Sequence, residues 1–151
     1  MCLQIEPITS ENRDACLSLS LHEEQRSFVP DVASSLAMAA NYPDAHPLAI
    51  ATKDGQVIGF CLYGVDENTG SWKIFRLIID MVSQGLGYGT AATRLIMDQL
   101  QEKHGASEVL IVYNDGNAAA EHVFSRLGFK EYDRDGIKIL ARAVLPDPSA
   151  D

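Results

Sequence analysis

Gln84-Gly85-Leu86-Gly87-Tyr88-Gly89-Thr90 separates two stretches of different periodicity. Before it, Ser71 to Asp80 is a largely apolar, strand-like run. After it, Ala92, Leu95, Ile96 and Leu100 share one face of a helix predicted over Thr90 to Lys103 and closed by His104-Gly105. A turn leading from a strand into a helix gathers the free N–H groups and the positive end of that helix at one point, where an anion is held. Glycines at 85, 87 and 89 let the main chain approach the anion closely. A plain glycine-rich turn would use the same residues, and it is the flanking elements that favour the anion site.

Two other phosphate-binding motifs fail on spacing. A P-loop needs G-x-x-x-x-G-K-[ST], and no Lys lies in the turn. A dinucleotide fingerprint needs G-x-G-x-x-G, but counting from Gly85 the sixth position is Thr90, and no acid ends a strand about 20 residues on.

Upstream, Leu3 and Ile5 alternate with Gln4 and Glu6 as a short strand, and Ser10 is positioned to cap a helix over Glu11 to Leu19. Asp31 is a good N-cap for a second helix, with Val32, Leu36, Ala39 and Ala40 on one face before Asn41-Tyr42-Pro43. Leu48 to Thr52 and Gln56 to Gly64 form a hairpin across Asp54-Gly55, and Asn68-Thr69-Gly70 turns into Ser71 to Asp80. Downstream, Glu108 to Tyr113 is a buried strand. Asn117 caps a helix with Ala120, Val123, Phe124 and Leu127 on its apolar stripe, stopped by Gly128. Lys130 to Asp133 and Ile137 to Ala143 make a last hairpin about Asp135-Gly136. The order β-α-α-β-β-β-α-β-α-β-β predicts an α/β fold with a mixed, mostly antiparallel sheet flanked by helices. Residues 1–145 are expected to form one domain and 146–151 a frayed tail.

With 12 Lys and Arg against 21 Asp and Glu, the chain carries a formal charge of −9, which disfavours nucleic acid and anionic membranes and favours a cationic partner. No run approaches the ~20 apolar residues of a membrane span, and the amino terminus lacks a signal pattern, so a cytoplasmic protein is expected. Cys2, Cys16 and Cys61 fit reduced thiols, and His22, His46, His104 and His122 lack metal spacing, so no metal is expected.

Gln84-x-x-Gly87-x-Gly89 between a strand and a helix resembles the pyrophosphate motif of the GCN5-related N-acetyltransferase (GNAT) family. Asn117, Ala120, Gly128 and Phe129 match the spacing of a second motif of that family. Several pieces, among them Gln25-x-x-Phe28-Val29, Trp72, and Arg76 to Asp80, are similar to bacterial spermine/spermidine acetyltransferases. The resemblance implies a GNAT-like fold and an enzyme that moves an acetyl group from acetyl-CoA to a primary amine, most readily a polyamine such as spermidine or spermine. Another small amine, an aminoglycoside, a peptide amine or a non-catalytic acyl-CoA sensor are its alternatives. It implies a homodimer as well.

On the same resemblance the cofactor lies along Leu77, Ile78 and Ile79, the turn Gln84, Gly85, Leu86, Gly87, Tyr88, Gly89 and Thr90, and Asn117 and Phe124. Glu23, Glu24, Gln25, Phe28 and Trp72 are expected at the acceptor. Many family members place a tyrosine seven residues after the Asn as proton donor to the departing thiolate; here that residue is Phe124. Tyr113 or Tyr88 is a possible substitute, unless each serves packing. Deprotonating an alkylammonium of pKa about 10.4 needs a base or an ordered water, for which Asp80 and Glu24 stand as candidates. A turn role for Asp80 and a solvated face for Glu23 and Glu24 are the alternatives. Trp72 either stacks on a cation or packs in the core.

Overall fold

A computed structural model describes residues 3–20, 31–42 and 44–146. Seven strands form one sheet in the order β1-β2-β3-β4-β5-β7-β6: β1 (Leu3–Pro7), β2 (His46–Thr52), β3 (Val57–Val65), β4 (Trp72–Ile79), β5 (Glu108–Asn114), β6 (Lys130–Asp135) and β7 (Lys138–Val144). Every neighbouring pair is antiparallel except β4 and β5, which are joined by the long helix α3 (Tyr88–His104). The mixed, mostly antiparallel sheet expected from the sequence is therefore present, with the helices on its two faces.

Side chains along each strand alternate between those faces. Phe60 and Leu62 of β3 join Cys16 of α1 (Arg13–Leu17) and Val32 of α2 (Val32–Ala40) in one cluster. Cys61 and Tyr63 turn the other way, to Ile96 and Leu100 of α3 and Phe124 of α4 (Ala118–Arg126). Cys16 and Cys61 are buried free thiols. Burial pushes Cys16 up to about 11 and raises Cys61 as well, so both stay protonated thiols.

Several sequence-predicted details hold. Asp31 Oδ1 accepts from Ser34 N at 2.8 Å and caps α2, and Asn117 Oδ1 accepts from Ala120 N at 3.2 Å and caps α4. Two helix boundaries differ. The first helix spans Arg13–Leu17 rather than 11–19, and Ser10 does not cap it. The residue at its N-cap is Asn12, whose Oδ1 accepts from Thr9 N while its Nδ2 donates to the Pro7 carbonyl, so this side chain closes the turn after β1 instead of capping. Helix α3 begins two residues earlier than predicted because Gly87, at φ 85°, is its N-cap. That brings Tyr88 and Gly89 into the first turn.

The parallel pairing of β4 with β5 is short. Trp72, Lys73 and Ile74 are in register with Val109, Leu110 and Ile111, and the pairing stops there. Its end coincides with a register shift against β3, where Tyr63 opposes Ile74 but Leu62 opposes Arg76, leaving Phe75 as an extra residue in β4. A bulge bends the strand and increases its local twist. Residues 76–79 thus leave β5 while remaining paired to β3, and β5 continues along β7 through Tyr113 and Asn114.

Candidate active site

The divergence of β4 from β5 opens a cleft of about 730 Å³. Arg76 and Leu77 line one side, Ile111, Val112, Tyr113 and Asn114 the other, and Asn117 and Phe124 close it from α4. The hairpin of β6 and β7 adds Asp135, Ile137 and Lys138 at the rim. The hairpin is held to the loop after β5 by Asp115 N, which donates to the Ile137 carbonyl at 2.7 Å, and by Arg134, paired with Asp115 at 2.9 Å.

The glycine turn leaves the end of β4. Gln84 Nε2 donates to the Ile79 carbonyl at 2.8 Å, so its side chain closes the turn onto the strand that enters it. Gly85 and Gly87 have φ of 79° and 85°, the left-handed region that favours glycine. The first N–H groups of α3, at Tyr88, Gly89 and Thr90, precede any possible i→i−4 partner within the helix and form the positive end of its dipole. A Cβ on Gly89 would stand 3.7 Å from Val123 Cγ2, so Gly89 fronts the gap between α3 and α4.

A family model described as Acetyltransferase (GNAT) family matches residues 10–129. The chain belongs to this family. It is 25% identical over 95% of its length to the whole of a spermine/spermidine N(1)-acetyltransferase of Bacillus subtilis (strain 168). Its fold matches that of PaiA N-acetyltransferase from Thermoplasma acidophilum, solved with coenzyme A, with a TM-score of 0.70 at 16% identity, covering 96% of this chain and 100% of that one. Nourseothricin acetyltransferase matches with a TM-score of 0.67 at 17% identity, over 97% and 100% of the two chains. The family and these relatives make this GNAT chain an acetyltransferase.

Of the cofactor residues expected from the sequence, Leu77, Asn117 and Phe124 line the cleft, and Gln84 to Thr90 form the turn at the end of β4. Ile78 and Ile79 do not line it: Ile78 is buried with the α1 and α2 cluster, and Ile79 packs against the α3 cluster. Tyr113 lines the cleft, and burial is the main cause that raises its phenol above the ordinary value, with Glu121 and Glu131 adding to it, so the hydroxyl keeps its proton. Asp80 lies outside the lining, and its Oδ1 accepts from Ser20 N at 2.8 Å while Met81 N donates to the Ser20 carbonyl at 2.6 Å. The carboxylate thus ties the segment after α1 to the glycine turn.

Trp72 is at the opposite end of β4, seven residues from Ile79 or roughly 23 Å at the usual strand rise. It packs there on His104, with ring centroids 4.2 Å apart, and on Tyr63 and His46. Glu23, Glu24, Gln25 and Phe28 lie outside the described residues. Sequence reasoning did not single out Lys73, Arg76, Asn114 or Lys138 as lining residues. The available signal was an arginine in the middle of the apolar run of β4. Among the described residues no group of three or more metal-ligating side chains occurs, and no helix is long and apolar enough to cross a membrane.

Proposed function

We propose that the protein moves an acetyl group from acetyl-CoA to the nitrogen of a primary amine in the β4–β5 cleft. The observation that carries this is the junction of two features: β4–β5 pairing that ends at Ile74 and Ile111, and the N-terminus of α3 at Gly87 beyond the open end. Acetyl-CoA supplies an acyl group on a thioester whose sulfur leaves as a thiolate. The N–H groups of residues 88–90 and the positive end of α3 suit its pyrophosphate. Leu77, Asn117 and Phe124 line the way to the acyl end, and Tyr113 holds a proton beside it. Asp80 is engaged with Ser20, which leaves Glu24 or an ordered water to take the proton from the amine.

A polyamine is the acceptor that the relatives' names and the formal charge of −9 support. One observation favours a second reading, an amine that also bears an anionic group: the cleft lining has Lys73, Arg76 and Lys138 against a single acid, Asp135. Thiol release from acetyl-CoA, followed over spermine, spermidine and a panel of other amines, tests the proposal. Release with at least one amine is the expected result. Tight acetyl-CoA binding with no release over the whole panel would make the domain an acyl-CoA sensor instead.

A further inference from the structure

Arg76 follows the bulge in β4 and lies on the α2 face of the sheet, with Nη2 3.9 Å from the Met38 sulfur. Its Nη1 donates to the Phe75 carbonyl at 2.7 Å. Its Nε is buried and has no hydrogen-bond partner, and no acid forms an ion pair with the guanidinium among the described residues. Burial lowers its pKa, as expected for a cation held where water is scarce and no countercharge is near. An unsatisfied buried donor on a charged group costs more than an ordinary missing hydrogen bond.

The surroundings repeat the pattern. The chain has 12 basic and 21 acidic residues, whereas the cleft lining has three basic residues and one acidic. Lys73 is paired with Asp66 at 4.0 Å, whereas Arg76 pairs with no acid among the described residues, so the unbalanced positive charge of the lining centres on Arg76. The donor's phosphates do not account for Arg76, because the glycine turn follows Ile79, three residues and about 10 Å further along the strand. The α2 face that Arg76 shares with Met38 is also opposite to the one covered by α3.

We infer that Arg76 anchors a carboxylate on the amine acceptor, through the Nε and Nη2 edge of its guanidinium, so that the acceptor is an amino acid or peptide amine. These two nitrogens lie on the same edge and match the two oxygens of a carboxylate, whereas Nη1 is already occupied. Met38 is the group that moves aside, since its unbranched thioether makes only a soft contact with Nη2 and repacks easily. This inference rests on the second acceptor reading above.

The test compares straight-chain ω-amino acids with monoamines and diamines of the same length as acceptors, in the native protein and in Arg76→Met and Arg76→Lys. The native protein should prefer the amino acid over the matched monoamine by about tenfold or more in kcat/KM, the scale of one charge-assisted pair. Arg76→Met should lose that preference and Arg76→Lys should keep part of it. Acetyl-CoA affinity should be unchanged in both, and Arg76→Met should be at least as thermostable as the native protein, because it removes an uncompensated buried charge. An unaltered preference in Arg76→Met, or a native preference for diamines that Arg76→Met does not change, overturns the anchor. Absence of thiol release with any amine overturns transfer itself. The anchor is then judged by calorimetry of the ω-amino acids with coenzyme A bound, where equal affinity for native protein and Arg76→Met rejects it.

Discussion

The rings of Tyr113 and Phe124 meet in the cleft wall with centroids 5.6 Å apart and planes tilted by 45°. Phe124 on α4 thus brings no hydroxyl to this wall, whereas Tyr113 on the neighbouring strand brings one. Burial raises the Tyr113 phenol, so the donor form persists through neutral pH and is lost only as pH rises above the ordinary value near 10. Tyr113→Phe should lower kcat by about 10- to 10²-fold, at or below the lower end of the usual ~10²- to 10⁴-fold for general acid catalysis, because a thiolate needs modest help. It should also remove the alkaline fall in kcat. Adding Phe124→Tyr to that variant should restore part of the rate. Native kcat and an unchanged pH profile in Tyr113→Phe would take the phenol out of the reaction.

Gly89 sits in the first turn of α3 without a left-handed backbone, and a methyl there meets only Val123 at ordinary contact distance. Gly89→Ala should therefore fold and gain up to about 1 kcal/mol from helix propensity. It should nevertheless bind acetyl-CoA less tightly, since the methyl points into the gap between α3 and α4. Thermal melts and calorimetric titration on one preparation separate the two effects. Native affinity in the stabilised variant would move the cofactor away from this turn.

Asp80 offers a contrast between geometry and chemistry. Its Oδ1 accepts the Ser20 N–H, a task that an asparagine oxygen performs equally well. Asp80→Asn should accordingly stay within about threefold of native kcat, whereas Asp80→Ala should lose only about 0.5 to 1 kcal/mol of stability, because Ser20 is exposed and water replaces the lost acceptor at its N–H. A loss of about 10³ or more in kcat for Asp80→Asn, with stability intact, would assign the carboxylate as the base.

Local signals were readable wherever a residue acts on its own neighbours. Asn117 caps α4 and Asp31 caps α2 because capping joins residues only three positions apart, and the glycine turn was marked by its own spacing. What was not readable depends on how distant strands align. The extra residue at Phe75 exists only as a mismatch between β3 and β4, and without it Arg76 reads as a stray charge in an apolar strand. Trp72 shows the converse. As the sole tryptophan it invited a role at the acceptor, but its place at the start of β4 puts it beside His104 at the C-terminal end of α3. Asp80 was open between base and turn residue, since only the folded chain brings Ser20, sixty positions earlier, against it.

The inserted residue in β4 also bears on how such a protein diversifies. A cavity made by removing side-chain bulk shrinks when a larger residue arrives, but this one is opened by main-chain register, which single substitutions in its walls leave alone. The wall positions Lys73, Arg76 and Lys138 are then at liberty to vary in charge and length while the frame around them keeps its shape. Acceptor preference can drift in this scaffold one side chain at a time, without the fold having to be reinvented.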